Sequence, residues 1–193
     1  MAIIIDGKAT SVAMKEELKA KIDTFINETG VTPGLAVIIV GNNPASAVYV
    51  RNKENACAAV GIHSETFRLA EETSEEELLL LVQRLNEDKN IHGILVQLPL
   101  PSHISEEKVI AAISPTKDVD AFHAQNVGHI MIGNYQFLPC TPAGVMALLE
   151  RYGIDVAGKH CVVIGRSNIV GKPQAMLLLE KRRTVHQSLV GDW

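Results

Sequence analysis

Tyr49 and Lys53 stand four residues apart in the run Tyr-Val-Arg-Asn-Lys. On a helix that spacing sets both side chains on one face about a turn apart. An aromatic ring beside an amine offers a stacking platform and a group that can give or take a proton. A second run, Gly93 to Ile104, reads as a buried apolar strand broken by Pro99 and Pro101, with Gln97 left at its carboxyl end. In open α/β sheets that end is where ligands bind. Taken singly, Lys53 reads as a solvated helix lysine and Gln97 as a strand-end polar group, because most such residues lie on the surface.

The remaining polar groups carry weaker signals. Asp118 and Asp120 fall in an irregular loop after Pro115, but no third carboxylate or histidine stands at ligand spacing, so no metal site is expected. His123 and His129 read as loop histidines. Ser74-Glu75-Glu76-Glu77 opens a helix as a capping box, with acidic residues that suit the positive end of the helix dipole. Cys57, Cys140 and Cys161 are widely separated, which predicts neither a zinc site nor a disulfide framework. Gly165 to Gly171 forms a glycine turn between a predicted strand and helix, where backbone amides and the helix N-terminus can face a phosphate. Its spacing does not meet the three-glycine dinucleotide fingerprint, so the pattern alone leaves nucleotide binding open.

These residues must be positioned by an alternation of strands and helices. Ile3 to Ile5 reads as a short strand closed by an Asp6-Gly7 turn, and Thr10 or Ser11 as the cap of a helix running to Gly30, with Leu18, Ile22, Phe25 and Ile26 as its core stripe. Leu35 to Val40 has the continuous apolar character of a parallel strand covered on both faces. Asn43-Pro44 then caps the helix of Tyr49 and Lys53, and Gly61 ends it. Further strands are expected over 63–69 and 91–98, with helices from Ser74 through Leu85 and from Ser105 to Ile113. The chain from Gly128 to Leu138 reads as turn-rich. Thr141-Pro142 caps a helix from about Ala143 to Tyr152, Lys159 to Ile164 is a strand, and a helix containing Ala175 and Leu177 to Leu179 follows. The alternation predicts an α/β layered fold with right-handed crossovers.

The chain has 193 residues, 47% of them hydrophobic and 21% charged, the balance of a globular protein long enough to bury a core. A net charge of −4 offers no electrostatic argument for nucleic acid or an anionic membrane. No segment has the length and apolarity of a membrane span, and the apolar start is too short for a signal peptide, so a cytoplasmic enzyme is expected.

Several blocks together carry a resemblance. Val40-Gly41-Asn42-Asn43-Pro44-Ala45-Ser46 with Tyr49-Val50 and Lys53, then Val96 to Pro101, Pro115 with Lys117-Asp118-Val119-Asp120, Pro139 to Pro142, and Gly165 to Pro173 follow in order. From about Ile3 to Leu179 this sequence resembles the bifunctional methylenetetrahydrofolate dehydrogenase/cyclohydrolases. The resemblance implies a three-layer α/β catalytic, folate-binding domain over 1–138 and the start of a Rossmann-like NADP-binding domain over 139–193. After Leu179 the family pattern is not recognised, which implies a truncated nucleotide domain. Leu189 to Asp192 faintly resembles a later segment of the family.

The implied activity is oxidation of 5,10-methylenetetrahydrofolate with NADP, followed by hydrolysis of the methenyl product to 10-formyltetrahydrofolate. Lys53 would be the general acid/base, Gln97 would hold that amine and the substrate, Tyr49 would stack on the aminobenzoate ring, and Asp120 would accept hydrogen bonds from the pterin. Leu98 and Pro99 would line the substrate site, and Gly165, Arg166 and Ser167 would bind the cofactor, with Arg166 and Ser167 on its 2′-phosphate. The family also implies a homodimer. Two other readings stay open. One is a catalytically inactive folate- or partner-binding remnant. The other is a different two-domain dehydrogenase such as a shikimate dehydrogenase, which the Tyr49/Lys53 helix and the Gln-Leu-Pro-Leu-Pro strand end oppose.

Overall fold

An unbroken apolar run from Leu35 to Val40 has to be covered on both sides, and it is. It forms β1 (Gly34–Val40), which pairs in parallel with β2 (His63–Leu69) on one edge and β3 (Gly93–Val96) on the other. The order in space is β2-β1-β3, so the first strand in the chain becomes the middle of the sheet. This is a computed structural model, and it describes residues 3–180 and 184–188. The chain divides into two compact units, one of residues 11–118 and one of residues 1–10 with 119–193.

In the first unit, alternation along the strands sorts the core into two layers. Ala36, Ile38 and Val40 of β1 and Ile94 and Val96 of β3 join Leu78, Val82 and Leu85 of α3 (Glu75–Glu87) and Val109 of α4 (Glu106–Ala112) in one buried cluster. Val37 and Ile39 point to the opposite face, where α2 (Pro44–Val60) packs on β1 and β2 and buries Val50, Cys57 and Val60. The result is the helix–sheet–helix layering expected for parallel strands. Gly34 admits no side chain, because a Cβ there would stand 2.0 Å from the Asn90 carbonyl oxygen.

The second unit holds α5 (Ala124–Ile132), α6 (Cys140–Arg151), β4 (His160–Ile164), α7 (Gly171–Glu180) and β5 (Thr184–Ser188). β4 and β5 are parallel, with Val162 opposite His186, and α7 packs on both strands and on α5 and α6. Cys161 and Val163 are half-buried, while Val162 and Ile164 on the alternate face are 57% and 72% exposed.

Several elements differ from the sequence reading. Ile3 to Ile5 is not a strand: Ile3 and Ile4 are exposed, and Asp6 caps the helix that follows, its carboxylate accepting from the Ala9 N–H at 2.9 Å. That helix, α1 (Gly7–Thr29), therefore starts before Thr10. Of its expected core stripe, Ile22 is buried, whereas Leu18 and Phe25 are exposed. Helical spacing marks a face without saying whether anything covers it. The turn-rich stretch contains most of α5, which His123 caps by accepting the Gln125 N–H at Nδ1. Histidine is an uncommon cap, which hid this start. The helix placed from Ala143 begins at Cys140, with Pro139 as its cap, so Pro142 lies inside its first turn, where a missing N–H costs nothing. β3 is shorter than 91–98. β5 lies beyond Leu179, the expected end of the family pattern, and the rest of that tail, 181–183 and 189–193, lies outside the described residues.

Candidate active site

The site in the first unit is built at the carboxyl edge of the parallel sheet. β1 ends at Val40, and Gly41, with a φ of 78°, turns the chain in a left-handed conformation that glycine adopts without strain. Asn43 caps α2, its side-chain oxygen accepting from Ala45 N at 3.0 Å and Ser46 N at 3.1 Å, with Pro44 in the first turn. The buried stripe of α2 passes through Ser46 and Val50, which leaves Tyr49 and Lys53 on its flank. Tyr49 is 61% exposed and Lys53 half-buried.

Strand parity brings Gln97 to Lys53. Ile94 and Val96 face α3 and α4, so Leu95 and Gln97 take the face of α2. Val96 lies opposite Ile38, and Gln97 N continues the ladder by donating to the Ile38 carbonyl at 2.8 Å. Lys53 Nζ then donates to Gln97 Oε1 at 3.0 Å, and Gln97 Nε2 donates to the Leu98 carbonyl at 2.8 Å. With its NH2 committed to that carbonyl, the amide is oriented to present oxygen to the amine. Leu98 is half-buried and Pro99 exposed, joined by a cis peptide bond. The amine, the amide and an exposed ring thus share one edge of the sheet, an arrangement able to bind a flat ligand and move a proton beside it.

Beyond Gln97 the loop is tied back to α3 and α4. Glu106 Oε1 accepts from Leu100 N at 3.2 Å, and His103 Nε2 donates to the Thr73 carbonyl at 2.9 Å. Sequence reasoning did not single out these two groups. The acid in the first turn of α4 was the available signal for Glu106, and His103 offered none.

The Lys117-Val119 part of the acidic block is structural in its first member. Lys117 Nζ donates to the carbonyls of Leu85 at 3.0 Å and Asp88 at 2.7 Å, closing the end of α3. Its own carbonyl accepts from Ile94 N at 2.7 Å, and Asp118 forms a parallel bridge with Ile94 and is buried. Asp120 is half-buried and belongs to the second unit. Ala121 beside it holds a φ of 56° although it is not glycine, a conformation that surrounding structure has to enforce. Among the described residues no group of three His, Cys, Asp or Glu could hold a metal ion.

In the second unit, Gly165, Arg166 and Ser167 occupy the turn between β4 and α7. A Cβ on Gly171 would stand 2.5 Å from the Gly165 carbonyl oxygen, so the turn closes only with glycine there. Ser167 Oγ accepts from Val170 N at 3.1 Å and Gly171 N at 3.2 Å, which caps the start of α7 and leaves the hydroxyl hydrogen as a donor. Arg166 is exposed. A close glycine turn, a helix start and an exposed guanidinium are suited to the anionic phosphates of a dinucleotide.

Comparison with known proteins agrees with both halves. The sequence model of the tetrahydrofolate dehydrogenase/cyclohydrolase catalytic domain matches residues 5–120, and that of the NAD(P)-binding domain of the same enzymes matches residues 139–189. The chain belongs to the tetrahydrofolate dehydrogenase/cyclohydrolase family. The second match continues past Leu179, the expected end of the resemblance. Among relatives, the bifunctional protein FolD of Acetivibrio thermocellus is 60% identical over 184 residues, covering 95% of this chain and 64% of its own length. FolD of Streptococcus agalactiae is 56% identical over 185 residues, or 96% and 65%. The chain thus spans just under two thirds of these relatives. The crystal structure of the FolD dehydrogenase/cyclohydrolase of Campylobacter jejuni superposes with a TM-score of 0.95 at 49% identity, covering 98% of this chain and 67% of that one. The Trypanosoma brucei enzyme, solved with NADP cofactor and an inhibitor, gives 0.93 at 38% identity, covering 97% and 64%.

Proposed function

We propose that the chain acts on one-carbon derivatives of tetrahydrofolate. It oxidises 5,10-methylenetetrahydrofolate to the 5,10-methenyl form with NADP, and hydrolyses that product to 10-formyltetrahydrofolate. The observation that carries this reading is the hydrogen bond from Lys53 Nζ to Gln97 Oε1 at 3.0 Å, at the sheet edge beside an exposed Tyr49.

In the hydrolytic step water adds to the methenyl carbon. The amine of Lys53 takes one proton as water adds to the methenyl carbon, and returns it to the pterin-ring nitrogen as the bond from that nitrogen to the carbon opens, while the remaining hydroxyl proton of the adduct passes to solvent and leaves a formyl group on the bridging nitrogen. Gln97 holds the amine on one line of approach, Tyr49 stacks on the aminobenzoate ring, Leu98 and Pro99 line the site, and Asp120 accepts hydrogen bonds from the pterin. NADP, when bound, supplies the hydride acceptor of the oxidation. Gly165, Arg166 and Ser167 hold its phosphates, the guanidinium taking the 2′-phosphate. The same reading has the protein acting as a homodimer in the cytoplasm, with the folate domain over 1–138 and the nucleotide domain over 139–193. Among the described residues no helix is long and apolar enough to cross a membrane.

The test is to supply the purified chain with 5,10-methenyltetrahydrofolate and follow its ultraviolet absorbance. Hydrolysis above the buffer rate that disappears in Lys53→Met is the expected result. Hydrolysis no faster than buffer alone overturns the reading.

A further inference from the structure

The loop from Leu98 to Ile104 carries two of the residues proposed to line the folate site, and its far end enters α4 at Ser105. What fixes that entry is a side chain from another helix. Glu75, in the first turn of α3, accepts from the backbone N–H of Ser105 at 2.8 Å with Oε2 and from Lys108 Nζ at 2.6 Å with Oε1. One carboxylate therefore joins the starts of two helices whose bodies are already packed in the core through Leu78 and Val109. Between Gln97, held on the β1 ladder, and Ser105, held by Glu75, Glu106 holds Leu100 N, the Thr73 carbonyl holds His103 and Ile104 N donates to the Pro101 carbonyl. Only short spans of free chain remain, and the bond at Ser105 closes the far end of the loop.

We infer that Glu75 is a positioning residue for the folate site: it sets where Leu98 and Pro99 stand, and hence how tightly the substrate is held, without touching substrate or moving a proton. The inference rests on the proposed function. Of its two bonds, the one to Ser105 N acts on the loop. The pair with Lys108 lies at a surface where the lysine side chain is 66% exposed, and such pairs contribute little. Removing the acceptor leaves a backbone donor without its partner, whereas removing the lysine leaves the loop anchored.

Three variants separate these terms. Glu75→Ala loses both bonds, Glu75→Gln keeps an oxygen for the Ser105 N–H, and Lys108→Met loses only the ion pair. Glu75→Ala is expected to raise the KM for 5,10-methenyltetrahydrofolate by about tenfold, the effect of one lost hydrogen bond, with kcat nearly unchanged. Glu75→Gln should show a smaller rise and Lys108→Met none. Amide hydrogen exchange read at Leu98, Leu100 and Ile104 should accelerate in the same order, while the exposed Glu76→Gln leaves it unmoved. A fall in kcat with KM unchanged, or loop exchange in Glu75→Ala equal to the parent, overturns the inference. If the parent hydrolyses nothing, the proposed activity fails and the exchange series alone decides the anchoring role.

Discussion

Tyr135 donates its hydroxyl to Glu180 Oε2 at 2.9 Å, tying the segment after α5 to the last residue of α7. Burial first, then the hydrogen bond and the negative charge of Glu180, push the Tyr135 phenol above its ordinary range. The folded value lies above the unfolded one. The link therefore contributes stability that is fully present below about pH 10 and is lost as pH rises through the folded value. A spectrophotometric titration of phenolate should show a late step that Tyr135→Phe removes. If Glu180→Gln leaves that late step where it stands in the parent, Glu180 does not hold this proton.

Lys53→Met should abolish hydrolysis of 5,10-methenyltetrahydrofolate, because no other amine is bonded to Gln97 among the described residues. Folate binding, measured by equilibrium titration, should stay within about tenfold, or about 1.4 kcal/mol, since stacking and the loop contacts remain. Turnover near the parent rate would remove Lys53 from the chemistry.

Arg166→Ala should weaken NADP by about tenfold or more relative to NAD, because a guanidinium–phosphate hydrogen bond contributes roughly 1.5–3 kcal/mol and NAD lacks that phosphate. Isothermal titration with each cofactor reads the ratio. Equal losses would assign Arg166 to holding the turn.

The capping box of α3 predicts an acid-sensitive helix start. Glu77 accepts from both the Ser74 N–H and its hydroxyl at 2.8 Å, and these bonds hold its carboxyl below the ordinary range. Glu75 is lowered likewise by Lys108 and Ser105. Because both folded values lie below the unfolded ones, the stabilisation is present above about pH 4.3 and disappears as pH falls through the folded values. Ser74→Ala should cost about 1 kcal/mol at neutral pH, read by urea unfolding. The acid limb of the Glu77→Gln stability profile should be shallower than the parent's, and parallel limbs would count against the box.

The sequence displayed the central strand, the Asn43 cap and the Ser74 box because each is a local signal. An apolar run, a capping side chain or a left-handed glycine announces itself within a few residues. The meeting of Lys53 with Gln97 was legible only through resemblance. Its physical cause is strand parity across a sheet whose pairing no single segment reveals. Glu75 and Lys117 were opaque for a related reason. Each serves backbone groups about thirty positions away, and nothing near Ser105 or Leu85 signals the partner. The exposure of Leu18 and Phe25 shows the other limit, since periodicity names a face before any neighbour is known to cover it.

The order β2-β1-β3 has a consequence during synthesis. The central strand emerges first, and its partners on the two edges arrive only when residues 63–69 and 93–96 have been made. At about 5–20 residues per second, the run Leu35 to Val40 waits about 3–11 seconds for its second neighbour. During that interval its aliphatic residues and unpaired amides lie open to any other extended chain. A ribosome-associated chaperone that holds this segment until Val96 has emerged should raise the yield of folded protein more than one acting after release, and pulse-chase aggregation assays with stalled chains of defined length would reveal that window.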